Sequence, residues 1–190
     1  MNLPNFLTMI RMALVPVFIV FFYLGQGGAY LFCVLAFAVF VIASLTDALD
    51  GHIARSRGLV TNFGKLMDPL ADKVLTTSAF IVFVDVHLIY AWMVIVILAR
   101  EFAITGLRSV AASEGVVIPA GFSGKLKTVF QMVAICLILF TSVIEGVSSA
   151  MNMWVFLSYA SLVCLWVAVG LTVYSGIEYL WKGRKLLNTK

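Results

Sequence analysis

Asp47, Asp50, Asp68 and Asp72 place four carboxylates within 26 residues of a chain in which only 12% of residues are charged. A helix turns about 100° per residue, so Asp47 and Asp50 differ by about 60° and Asp68 and Asp72 by about 40°. Each pair therefore lies on one stripe of its helix. A short turn at Ser56-Arg57-Gly58 separates the two pairs, which makes their helices antiparallel neighbours whose acidic stripes can face each other. Clustered carboxylates are hard oxygen ligands of the kind that hold Mg2+ or Mn2+. Two such ions would balance four carboxylates. Arg55, Lys65 and Lys73 stand close in sequence and could neutralise part of the charge instead.

The elements that carry these residues follow from composition. Apolar residues make up 63% of the 190, against roughly 45–50% in a soluble domain. Too little polar side chain remains to cover a globular surface, which excludes a soluble enzyme, a disordered regulator and a free nucleic-acid-binding module. Long apolar stretches predict an all-α, polytopic membrane protein with six transmembrane helices: Asn5–Leu24, Ala29–Arg55, Asn62–Val84, Tyr90–Ala112, Phe122–Ile144 and Met151–Trp181. Gly25-Gln26-Gly27-Gly28, Ser56-Arg57-Gly58 and Ser113-Glu114-Gly115 with Pro119 and Gly121 punctuate them. No connection is long enough for a soluble unit, and residues 1–190 read as a single membrane domain without repeats. The first span is expected to be a retained helix rather than a signal peptide, because the apolar run continues to Leu24 without a clear small-x-small cleavage pattern. Its opening from Leu3 to Arg11 mixes polar and apolar residues at helical spacing, which suits an N-terminal interfacial segment. Cys33, Cys136 and Cys164 are far apart in apolar runs and read as packing residues.

Charge gives the orientation. All 13 Lys and Arg fall on one side when the six spans alternate, and the opposite side has only Asp85, His87 and Glu145. Cytoplasmic connections carry the basic excess, so both termini and the acidic pairs are expected at the cytoplasmic face of the cell membrane. Asp50 and Asp47 precede Arg55 by five and eight residues, or about 7–12 Å of helix. A water-soluble substrate can reach that depth while a lipid tail stays in the bilayer. An ionised Asp at mid-span costs about 2.5–3.5 kcal/mol, so four central, unpaired ones would cost on the order of 10–14 kcal/mol and need compensation. Gly51 and Gly64 beside the acids suggest either close helix packing or close approach of a ligand to the backbone.

The string D-x-x-D-G-x-x-A-R-x8-G-x3-D-x3-D is met in full by Asp47, Asp50, Gly51, Ala54, Arg55, Gly64, Asp68 and Asp72. It resembles the signature of the CDP-alcohol phosphotransferase family. The stretches Leu3-Pro4-Asn5, Leu7-Thr8, Thr61 to Lys65, Arg100-Glu101 and Gly124 to Thr128 resemble bacterial members, so the likeness covers nearly the whole chain. The resemblance implies a six-helix, homodimeric membrane transferase of phospholipid biosynthesis. Such an enzyme uses two divalent ions, Mg2+ or Mn2+, to move a phosphatidyl group from CDP-diacylglycerol to an alcohol and release CMP. It implies that Asp47, Asp50, Asp68 and Asp72 hold the metals and that Asp72 is also the general base. Gly51, Ala54, Arg55 and Gly64 would line the nucleotide pocket, with Asn5 and Thr8 near it. His52, one residue outside the acidic pairing, reads as a surface or packing residue rather than a nucleophile.

The acceptor is read from Arg100, Arg108, Lys125 and Lys127, four cations on the same side of the membrane. Lys125 and Lys127 lie near the start of the fifth helix, where the helix dipole disfavours cations and an anion would relieve the conflict. They point to an acceptor with its own phosphate, although orientation and contact with anionic membrane lipid would also use such residues. Gly124-Lys125 is not a Walker loop, since Pro119 stands where that motif needs glycine and Leu126 follows the lysine. Glu101 could pair with Arg100 or Arg108. Overall similarity favours sn-glycerol 3-phosphate, with inositol phosphate, serine or another alcohol as alternatives. A divalent-cation transporter is the non-enzymatic rival, and it would call for acids near mid-membrane and repeat symmetry, neither of which the chain shows.

Overall fold

A computed structural model describes the backbone of residues 3–57, 62–113, 121–145 and 151–187, and the side chains of Phe6, 8–46, 73–112, 121–145, 151–179 and Trp181. It is all-helical among the described residues. The helices are α1 (Leu3–Gln26), α2 (Tyr30–Arg57), α3 (Asn62–Asp85), α4 (Ala91–Ser113), α5 (Phe122–Glu145) and α6 (Met151–Leu187). They match the six expected stretches. The largest difference is at α6, which runs past Trp181 to Leu187 because no proline interrupts the basic segment that follows its apolar part. The opening of α1 is continuous with the rest of the helix and passes through Pro16 without a break.

The core is largely apolar, as in a soluble protein, but the exterior is apolar too. Thr8, Arg11, Lys127, Gln131, Thr172 and Ser175 are buried, while Ile42, Ile95, Phe102, Phe156, Val163 and Ile177 are exposed. An exterior of large apolar side chains around a partly polar interior suits a bundle bathed in lipid, where polar groups must find partners inside. Among the described residues, Thr8–Gln26, Phe122–Glu145 and Met151–Tyr179 are long and apolar enough to cross a membrane. Arg100, Glu101 and Arg108 inside α4 keep that helix from the same standard.

Packing is closest in the α1–α2 and α5–α6 pairs. The α1–α2 turn depends on two glycines. Gly28 has φ of +89°, and a Cβ on Gly25 would come within 2.6 Å of Cys33 Sγ. Phe40 of α2, Phe18 and Phe22 of α1, and Phe83 of α3 form a chain of rings with centroids 5.7, 6.1 and 5.5 Å apart. This chain fixes three helices against one another through tilted aromatic contacts. Among the described residues α3 packs chiefly on α1, and its contacts with α2 are few. Parallel α1 and α3 end together, where Tyr23 Oη donates a 2.8 Å hydrogen bond to Asp85 Oδ2. The opposite end of the bundle gathers the starts of α1, α3 and α5 and the ends of α2, α4 and α6.

Candidate active site

Asp47 and Asp50 lie on the last turns of α2, and Asp68 and Asp72 on the first turns of α3. All four therefore sit on helices at the end of the bundle that the basic residues share. The side chains of Asn5, Asp47, Asp50, Gly51, His52, Ala54, Arg55, Gly64, Lys65, Asp68 and Asp72 lie outside the described residues. The described residues themselves contain no group of three or more His, Cys, Asp or Glu able to hold a metal. The four aspartates expected to hold the metal stand on two consecutive helices, α2 and α3.

Thr8 and Arg11 of α1 are each 1% exposed. They are three residues apart, which puts them on one face of an otherwise apolar helix. Arg11 is more than an orienting charge: its guanidinium is held inside the bundle. The three-residue spacing was the signal for this burial.

The four cations expected at the acceptor site come together. Arg100, Arg108, Lys125 and Lys127 line a cavity of about 410 Å³ with Glu101 and Tyr179, formed by α4, α5 and the end of α6. Lys125 and Arg108 are exposed, whereas Lys127 is buried and ion-paired with Glu101 across the α4–α5 contact. Glu101 also approaches Arg100, with Oε1 3.9 Å from Nη1. Glu101 thus pairs with Arg100, as expected, and also with Lys127 of the neighbouring helix. Four cations and one carboxylate leave the cavity positive, and the first turn of α5 adds its N-terminal dipole.

Arg100 is held by shape as well as charge. A Cβ at Gly124 would lie 3.2 Å from Arg100 Nη2, and one at Gly176 would lie 3.4 Å from Arg100 Cγ. Glycines on α5 and α6 thus form a slot for the side chain. Its guanidinium carbon lies 5.7 Å from the ring centroid of Tyr179, within cation–π range. Tyr179 Oη accepts a 2.9 Å hydrogen bond from the Gly121 N–H, and Ser123 Oγ donates to Glu178 Oε2 at 2.7 Å. These bonds tie the start of α5 to the end of α6 and fix the cavity wall.

A smaller chamber of about 70 Å³ adjoins the cavity and shares Glu101 and Thr128 with it. Lys73, Thr76 and Gln131 add polar groups to its wall. Lys73, which follows Asp72 in α3, donates a hydrogen bond to Thr105 Oγ1 of α4. Sequence reasoning gave no role to Gln131, Tyr179, Glu178 or Ser123. For Gln131 a signal existed: Gly124, Lys127, Thr128 and Gln131 recur at three- and four-residue intervals along one face of α5. Tyr179 had none, because its partners are 58 residues away or more in sequence.

A family model described as CDP-alcohol phosphatidyltransferase matches residues 1–174. The chain is 43% identical to the Bacillus subtilis (strain 168) protein named "CDP-diacylglycerol--glycerol-3-phosphate 3-phosphatidyltransferase", over 99% of this chain and 98% of that one. It is 38% identical to the Rickettsia typhi protein of the same name, over 94% of each. A Mycobacterium tuberculosis (strain H37Rv) protein named "Probable phosphatidylglycerophosphate synthase" is 39% identical, over 94% of this chain and 80% of its own length.

Proposed function

The chain belongs to the CDP-alcohol phosphatidyltransferase family, and from that membership we propose that it transfers the phosphatidyl group of CDP-diacylglycerol to sn-glycerol 3-phosphate. The products are phosphatidylglycerophosphate and CMP. The single observation that carries the choice of acceptor is the convergence of Arg100, Arg108, Lys125 and Lys127 on one cavity. A phosphorylated alcohol needs such a site, and a cationic alcohol would be repelled by it.

In this reading the acceptor phosphate rests against Arg100 and Lys125. Arg100 presents a planar donor fork, pre-oriented by its glycine slot and Tyr179. Lys127 is held by Glu101, so it adds charge to the wall while its position stays fixed. Asp72 takes the proton of the attacking hydroxyl. The new oxygen–phosphorus bond forms as the bond from that phosphorus to the CMP oxygen breaks, and no covalent enzyme intermediate is needed. Gly51, Ala54, Arg55 and Gly64 line the nucleotide pocket, with Asn5 and Thr8 close by. Asp47, Asp50, Asp68 and Asp72 would hold a pair of Mg2+ or Mn2+ ions, which supply charge neutralisation at the diphosphate and the departing oxygen.

The protein works as a homodimer in the cell membrane, with six helices crossing, both termini and the site facing the cytoplasm, and bilayer lipid around its apolar exterior. What supports this orientation is the gathering of the basic residues at one end of the bundle, with Asp85 and Glu145 at the other. An acceptor panel at fixed CDP-diacylglycerol tests the reading. Purified protein with Mg2+ or Mn2+ should release CMP with glycerol 3-phosphate and far less with inositol phosphate or serine. Preference for either of the latter, or no CMP at all, would overturn it.

A further inference from the structure

We propose that the chamber beside the cationic cavity is a second acceptor subsite, in which Gln131 recognises the hydroxyl of the polyol phosphate that does not react. The inference rests on the reading of this chain as a transferase to glycerol 3-phosphate and adds a residue and a basis for selectivity to it. Gln131 is 6% exposed on an otherwise apolar stretch of α5, and its Nε2 has no hydrogen-bond partner. A buried amide donor left unmade is costly. It calls for an acceptor atom that arrives with a ligand.

The position of the chamber says which atom that is. It opens between α3, α4 and α5, with Lys73 on one wall and Glu101 and Thr128 shared with the cavity for the phosphate. Lys73 directly follows Asp72, the proposed base. Glycerol 3-phosphate carries two hydroxyls. The primary one is the less hindered nucleophile and must face Asp72 while the phosphate faces Arg100 and Lys125. The middle hydroxyl is then left over, buried between the two anchoring points, and needs a partner of its own. About 70 Å³ suits a CH–OH group or a few waters. A site built to hydrogen-bond a substrate hydroxyl rejects the analogue that lacks it, because the site's own polar group is left unpaired.

The test compares glycerol 3-phosphate with 3-hydroxypropyl phosphate, which keeps the terminal hydroxyl and the phosphate and lacks the middle hydroxyl. Both acceptors are assayed with CDP-diacylglycerol and Mg2+ on the purified full chain and on Gln131→Met, a volume-conserving change, and Gln131→Asn. The unsubstituted protein should favour glycerol 3-phosphate in kcat/KM by about tenfold or more. Gln131→Met should lose that preference through glycerol 3-phosphate alone, with the deoxy analogue within about twofold and the KM for CDP-diacylglycerol unmoved. Gln131→Asn, with a shorter reach, should lose most of it too. Equal losses on both acceptors would mark a structural role and overturn the inference, as would an unsubstituted protein that treats the two alike. If the unsubstituted protein releases no CMP with either, the underlying transferase reading fails, and the subsite with it.

Discussion

Asp72 and Lys125 divide the proposed chemistry between proton transfer and binding, and their variants should part accordingly. Asp72→Asn keeps an oxygen in place and removes the base, so kcat should fall by about 10²- to 10⁴-fold while KM for CDP-diacylglycerol changes little. Steady-state CMP release measures both, and full activity would contradict the assigned role. Lys125→Ala removes an exposed cation from the cavity wall. It should raise KM for glycerol 3-phosphate by about five- to thirtyfold and leave KM for the donor nearly unchanged. The four cations of the cavity were legible in the sequence because a charge in an apolar helix must have a reason to be there. The pairing of Glu101 with Arg100 was legible too, but its second pairing, across helices, was not. Arg100 and Arg108 are its neighbours along one helix, whereas Lys127 reaches it only through the α4–α5 contact.

The helices were equally legible, since spans of about 20 apolar residues broken by glycine and short polar turns leave little freedom in where they begin and end. Their pairing was less so. The short connection predicted α2 beside α3, and the two helices do meet; it did not foretell that among the described residues α1 is the main neighbour of α3, with the aromatic chain from Phe40 to Phe83 passing through α1. An apolar stripe states that a helix is buried without stating against what. The slot for Arg100 is a product of such pairing, formed by Gly124 on α5 and Gly176 on α6. Gly124→Ala would place a methyl 3.2 Å from Arg100 Nη2 and push the guanidinium off its position over Tyr179. We expect KM for glycerol 3-phosphate to rise about three- to tenfold, as displaced positioning groups do, with the melting temperature of the purified protein lowered only slightly. A donor KM raised as much as the acceptor KM would show that the slot does not serve the acceptor.

The basic residues fall at one end of the bundle and Asp85 and Glu145 at the other, the asymmetry expected of the proposed one-sided membrane enzyme. In a variant with Cys33, Cys136 and Cys164 replaced, a cysteine at Ala112 should react with a membrane-impermeant maleimide only from the cytoplasmic side. One at Gly27 should react only from the outside. Labelling of both from one side would refute the orientation. The charge asymmetry that motivates this orientation is legible in the distribution of the 13 basic residues, but the cavity that several of them form required three helices to be brought together. The whole scheme depends on α2 and α3 bringing Asp47, Asp50, Asp68 and Asp72 close enough to share divalent ions. Electron paramagnetic resonance during Mn2+ titration of the purified protein measures this most directly. We expect two saturable, spin-coupled Mn2+ per chain, with the coupling abolished in Asp68→Asn. Absence of any saturable Mn2+ site, or binding that Asp68→Asn leaves unchanged, would contradict the account.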